Sequence, residues 1–280
     1  MNNPEEFLAP YPFPGPDPIM DAPDKNAVIK AEISLTQALH PNNNGQHAVG
    51  ISENDAHVLL QWIVNTTRMA LITALSKNER TGTAEEKTER TIKKFKKAAG
   101  ELATMCSPAQ AISSYVAEHL GVEGIRQLHS YRFYDENRIG HDFAVMVIPV
   151  IQQDKSIRPT PYLIDVTYRQ FFDPTNPNVK IGRAMHESIP NAGFMITKTR
   201  EGRQLADTLL RNGYVELTEQ QAELYLCSFA GGKKISGSYL DAILDPAKDY
   251  GYKYLLSALQ NAKIDITSPL RKIRENGPSR

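Results

Sequence analysis

An α+β fold is the class this sequence predicts, on three observations. Apolar residues recur at helical spacing through roughly 54–105, short Val-, Ile- and Phe-rich runs bounded by turn formers follow between 128 and 167, and helical patterning returns beyond 172. Helices, then antiparallel strands, then more helices describe a small sheet with helical elements segregated around it.

Taken in order, residues 1–50 read as a flexible Pro-rich arm and loop. The stretch to about residue 25 is rich in proline and acidic residues without hydrophobic periodicity, and 40–50 carries Pro41, Asn42, Asn43, Asn44 and Gly45. Ser52 and Asp55 then stand three apart before a long apolar segment, which predicts a capped helix over about 54–77. Its most apolar part, 58–75, is interrupted by Gln61, Asn65, Thr66, Thr67 and Arg68, as suits a core helix and not a membrane span. Asn65-Thr66-Thr67 has the glycosylation pattern but falls inside this helix. In 85–105, Ile92, Phe95, Ala99 and Leu102 fall at helical spacing, with lysines forming a solvated face.

A third helix is expected over 108–120, between Pro108 and Gly121. Strands are expected at 128–134, 141–151 and 162–167. Farther on, 201–212 has an amphipathic pattern stopped by Gly213, and Thr218 caps a helix carrying Ala222, Leu224 and Tyr225. These readings divide the chain into the arm at 1–50, a core at 51–180 and a helical C-terminal region at 181–280.

Composition narrows the function. Lys plus Arg and Asp plus Glu stand at 32 each among 280 residues, so overall charge does not point to nucleic acid or an anionic membrane as partner. Two cysteines, Cys106 and Cys227, are too few for a disulfide scaffold and lack C-x-x-C spacing for zinc or redox chemistry. The N-terminus has no basic start followed by an apolar run, so the expected location is the cytoplasm of the producer. Gly231-Gly232-Lys233-Lys234 lacks the residues of a phosphate-binding loop, and His186-Glu187 lacks the second histidine of a zinc-protease helix, since Pro190 stands in its place.

Chemistry gathers at three positions. Cys106 lies in Met105-Cys106-Ser107-Pro108-Ala109-Gln110, at or just before a helix start, where unpaired N–H groups and the helix dipole favour negative charge on sulfur and can stabilise an oxyanion. His141 follows Gly140 at the mouth of an apolar strand. Asp165 interrupts the apolar run Tyr162-Leu163-Ile164-Asp165-Val166, where a buried carboxylate requires a partner. If those two strands are antiparallel neighbours, Asp165 can orient His141, and His141 can take the thiol proton of Cys106. Asp142 competes for the acid role, but adjacent strand residues point to opposite faces. Tyr168, Arg169 and Gln170 follow Asp165 closely and are candidates for binding substrate. Cys227, among Leu224, Tyr225 and Leu226, reads as a buried structural thiol.

Cys-Ser-Pro-Ala-Gln before a helix, then Gly140-His141-Asp142-Phe143, then Leu163-Ile164-Asp165-Val166-Thr167-Tyr168-Arg169-Gln170-Phe171, resembles the papain-like and transglutaminase-like Cys-His-Asp superfamily. The resemblance covers about residues 105–172 and is strongest to bacterial effector and toxin enzymes that deamidate or crosslink glutamine side chains of host proteins. It implies that 51–180 is a catalytic core, with Cys106 at the start of a helix packed on a small antiparallel sheet. It implies acyl transfer from a protein amide through a thioester, without metal or organic cofactor, with a host protein as substrate and signal-peptide-independent delivery. A cysteine peptidase and a non-catalytic binding scaffold are the alternatives.

Overall fold

The computed structural model describes residues 22–39, 50–76, 80–97, 105–118, 120, 129–134, 140–169 and 199–229. Their order is α1 (Lys25–Leu39), α2 (Glu53–Ser76), α3 (Ala84–Lys97), α4 (Cys106–Glu118), β1 (His129–Tyr134), β2 (Gly140–Ile151), β3 (Ile157–Ile164), α5 (Arg200–Asn212), β4 (Tyr214–Glu216) and α6 (Glu219–Phe229). The class is α+β, as the sequence predicts: helices around one antiparallel sheet of order β1-β2-β3-β4.

Most helix starts follow from a side chain that accepts otherwise unpaired backbone N–H groups. Ser52 Oγ accepts from Asp55 N–H at 3.1 Å to start α2. Thr83 and Glu86 form a reciprocal capping box at α3, with 2.9 and 3.2 Å bonds. Thr218 and Gln221 do the same at α6, at 3.0 and 3.2 Å. Helix α5 is capped by Thr199 and ends at Gly213, whose φ of 76° is a left-handed conformation open to glycine at little cost.

Helix α2, 24 residues long, is the centre of the core. Its length and composition would suffice to cross a membrane, yet Leu59, Leu60, Ile63, Val64, Leu71 and Ile72 are buried against other parts of the chain. It packs on α1, α3, α4 and the sheet. Small residues let α4 approach closely: Ala109, Ser113 and Ala117 are buried, and Ser113 Oγ lies 3.1 Å from Thr67 Oγ1 of α2. The sheet face turned to these helices carries Ala144, Met146, Ile148, Tyr162, Ile164 and Tyr214. Each fully buried apolar side chain of this kind stabilises the fold by about 1.5–3 kcal/mol before entropy is counted.

Three elements differ from the sequence reading. Lys25–Leu39 is helical and buries Val28, Ala31 and Leu35 against the core, so 1–50 is not all arm and loop. Asp24 Oδ1 caps this helix by accepting from Asn26 and Ala27 N–H at 2.9 and 3.0 Å. Strand β3 starts at Ile157, five residues before the expected Tyr162, despite Pro159 and Pro161. Pro161 O accepts from Leu217 N at 2.7 Å, on the β4 side, so the N–H groups that Pro159 and Pro161 lack fall on the edge where β4 does not reach. Strand β4 was not expected. It pairs with β3 through Tyr162↔Glu216, Leu163↔Val215 and Ile164↔Tyr214, so the C-terminal region contributes a strand to the same sheet and is not purely helical.

Candidate functional site

Cys106 is the first residue of α4, with Ala109 N–H bonded to Met105 O at 2.8 Å to open the helix. Pro108, expected near the first helical position, is the third helical residue, still within the turn whose N–H groups lack intrahelical partners. Cys106 is a free thiol, half-buried. Its surroundings have both a helix N-terminus and partial access.

His141 is the second residue of β2 and pairs with Phe133 of β1. Gln170 and the side chains of His141 and Cys227 lie outside the described residues, as do His186, Glu187 and 231–234. Strands β2 and β3 are antiparallel neighbours, in register Ala144↔Ile164 and Val145↔Leu163. Continued by one residue, this register sets Asp165 opposite Phe143. Strand alternation puts position 141 in phase with Phe143 and Asp142 out of phase with it. Asp142 is buried and belongs to the phase of Ala144, the α4 side.

Asp165 is 2 % exposed and is held from several directions. Its backbone N–H donates to Gly213 O at 2.9 Å. One carboxylate oxygen, Oδ1, accepts from the Thr167 N–H at 3.1 Å and from its hydroxyl at 3.2 Å. The other, Oδ2, accepts from the Tyr225 hydroxyl at 2.6 Å, a charge-assisted bond between buried groups. The buried carboxylate therefore has the partners its burial demands.

Tyr225 was missed as a site residue by the sequence reading, although two signals were present. It stands three residues after Ala222 on the buried side of α6, where a tyrosine hydroxyl needs a partner, and Asp165 was a buried acid needing one. Its ring meets Phe143 edge-on at 5.2 Å and lies tilted beside Tyr168 at 5.9 Å. Burial pushes the Tyr225 phenol well above its ordinary range, and Asp165, Tyr168 and Cys106 push it further by opposing a second negative charge. The phenol thus keeps its proton and remains a donor to Asp165 throughout the neutral range. The same interaction puts Cys106 within electrostatic reach of the Tyr225–Asp165 pair.

Tyr168 and Arg169, candidates for substrate contact, are buried at 2 % and 8 % exposure, with Tyr168 packed on Tyr225. Among the described residues no group of three His, Cys, Asp or Glu side chains comes together to hold a metal ion. Comparison of the chain with family models, curated proteins and solved structures gives no match.

Proposed function

We propose that the chain is a cysteine-dependent acyl-transfer enzyme of papain-like or transglutaminase-like type, acting on protein amides as a glutamine deamidase or transglutaminase of the bacterial effector kind. The observation that carries this reading is Cys106 at the start of α4, half-buried and within electrostatic reach of the phenol of Tyr225, whose hydroxyl is bonded to Asp165. Strand β2, bearing His141, lies beside β3. In this reading the Cys106 sulfur, deprotonated by His141, attacks the amide carbonyl carbon, and the N–H groups at the start of α4 hold the oxyanion. Ammonia leaves with the proton that His141 returns, forming a thioester. Water then gives the acid, or an amine gives a new amide. Asp165 orients the imidazole and supports its positive charge, while Tyr225 and Thr167 hold Asp165 in place.

A second reading draws on the same contacts. Bonded to Thr167 in an Asx-type turn and to Tyr225 of α6, Asp165 is equally a fold anchor joining β3 to the C-terminal helices, as a non-catalytic scaffold would need. Mass analysis of candidate proteins incubated with the chain and an alkylamine separates the readings. A glutamine converted to glutamate or carrying the amine, and absent with Cys106→Ala, supports acyl transfer; backbone fragments indicate a peptidase. An unchanged substrate panel together with a Cys106 thiol no more reactive than in the unfolded chain would leave only the scaffold.

A further inference from the structure

A second site lies on the opposite face of the sheet from Asp165. Tyr162, Thr160, Arg158 and Val150 share one strand phase with Glu216, and Asp165 has the other. They line a cleft of about 550 Å³ that runs to the β2–β3 turn and is closed on one side by Glu53 at the start of α2. This volume is in the range of small-molecule sites.

Tyr162 stands at the centre of this lining. It is 1 % exposed, it lines the cleft, and its hydroxyl makes no hydrogen bond among the described residues. The ring is buried while the hydroxyl oxygen opens onto the cleft, where a ligand can take the place of water as its partner. Its neighbours set the charge of that ligand. Glu216 is directly paired with Tyr162 across β3 and β4, and Glu53, Asp154 and Glu216 line the cleft against a single guanidinium, Arg158, which itself reaches Asp154 at 3.5 Å. Burial, then Glu216, Glu53 and Tyr214, push the Tyr162 phenol up, so these carboxylates act on its oxygen and the phenol stays neutral. No three acidic, His or Cys side chains among the described residues are close enough together to ligate one metal ion. The carboxylates are spread along a cleft, as an extended organic cation requires.

We infer that this cleft binds an organic cation, an ammonium or guanidinium group whose N–H donates to the Tyr162 oxygen while Glu53 and Glu216 balance its charge. His57 borders the same place, with Nδ1 3.2 Å from the Tyr214 hydroxyl and Nε2 3.7 Å from Glu53, and holds the α2 end of the cleft to the sheet. The inference is independent of the acyl-transfer reading, since none of its residues belongs to that site.

The test is calorimetric titration of the full chain with agmatine and spermidine as free cations and with a short Lys- and Arg-containing peptide. One-to-one saturable binding is expected, weakened at least tenfold by Tyr162→Phe and by Glu216→Gln and unchanged by Glu89→Gln, an exposed acid of α3 paired with Lys93. Tighter binding of the peptide assigns the cation to a polypeptide, and tighter binding of agmatine or spermidine assigns it to a small molecule; both support the site. Absence of saturable binding, equal affinity in Tyr162→Phe, or an equal loss in Glu89→Gln would overturn it. If Tyr162→Phe fails to melt cooperatively, Glu216→Gln, altered only at an exposed side chain, decides on the same criterion.

Discussion

Replacing Tyr225 by phenylalanine removes one oxygen and leaves the ring that packs on Phe143 and Tyr168. The lost oxygen is the donor to Asp165 Oδ2 at 2.6 Å, between residues that are each no more than 2 % exposed. Because the acceptor is a carboxylate and water has little access to replace the donor, the loss should reach the range for charged hydrogen bonds, about 1.5–3 kcal/mol. Urea unfolding of wild type, Tyr225→Phe, Asp165→Asn and the double variant measures it, with the slope m checked for constancy. The coupling energy between the two positions should be at least about 1 kcal/mol. A coupling below about 0.5 kcal/mol would refute the claim that Tyr225 holds Asp165, and with it the route from α6 to the site.

Gly213→Ala should destabilise by at least about 1–2 kcal/mol, since the residue has φ 76° and a Cβ there would lie 2.8 Å from Val64 Cγ1; unchanged urea unfolding would contradict the left-handed cap. Tyr162, Tyr214 and Tyr225 all have phenols raised by burial above the ordinary value of 10.0, Tyr214 to about 12. The unfolded chain releases these protons first, so their contribution to stability is intact below pH 10 and is lost as pH rises through the raised values. Three such groups give a fall of about 4 kcal/mol per pH unit in that window, and Tyr225→Phe should reduce the slope by about a third; equal slopes in alkaline unfolding would count against its burial as a neutral phenol. Asp165→Asn should slow turnover severely, by roughly 10⁴ on the analogy of serine triads, while Asp142→Asn, on the other strand phase, should be near wild type per folded molecule. The reverse result would shift the strand register by one residue.

The sequence showed most where one residue has one physical use. Ser52 before an apolar run, Thr218 three residues before Gln221, and Gly213 after an amphipathic stretch each marked a helix end, because capping oxygens and left-handed glycines act locally. Helix-start placement of Cys106 was legible for the same reason, since Pro108 is a local signal; apolar runs between turns marked β2 and β3, whose pairing entered only as a condition and is shown by the structure. Strand β4 was not, since three residues are too few to show alternation and it exists only because β3 offers an edge. Nor was the start of β3 at Ile157, since Pro159 and Pro161 lack ladder N–H groups and only the side they face makes them harmless there. Helix α1 had a capping Asp24, but its proline-rich and asparagine-rich flanks masked it. Tyr225 lies 60 residues from Asp165, and only the fold joins them.

Acyl transfer requires that Cys106 be an activated thiol and not simply a half-buried one. The most direct measurement is its rate of iodoacetamide labelling near neutral pH, read by peptide mass mapping in the native chain and in the chain unfolded in urea, with Cys227 as internal reference. Partial burial alone should make the native thiol slower than the unfolded one. Activation predicts the opposite, labelling of native Cys106 faster than the unfolded chain and at least about tenfold faster than native Cys227. Native labelling of Cys106 slower than in urea, and no faster than Cys227, would contradict the claim.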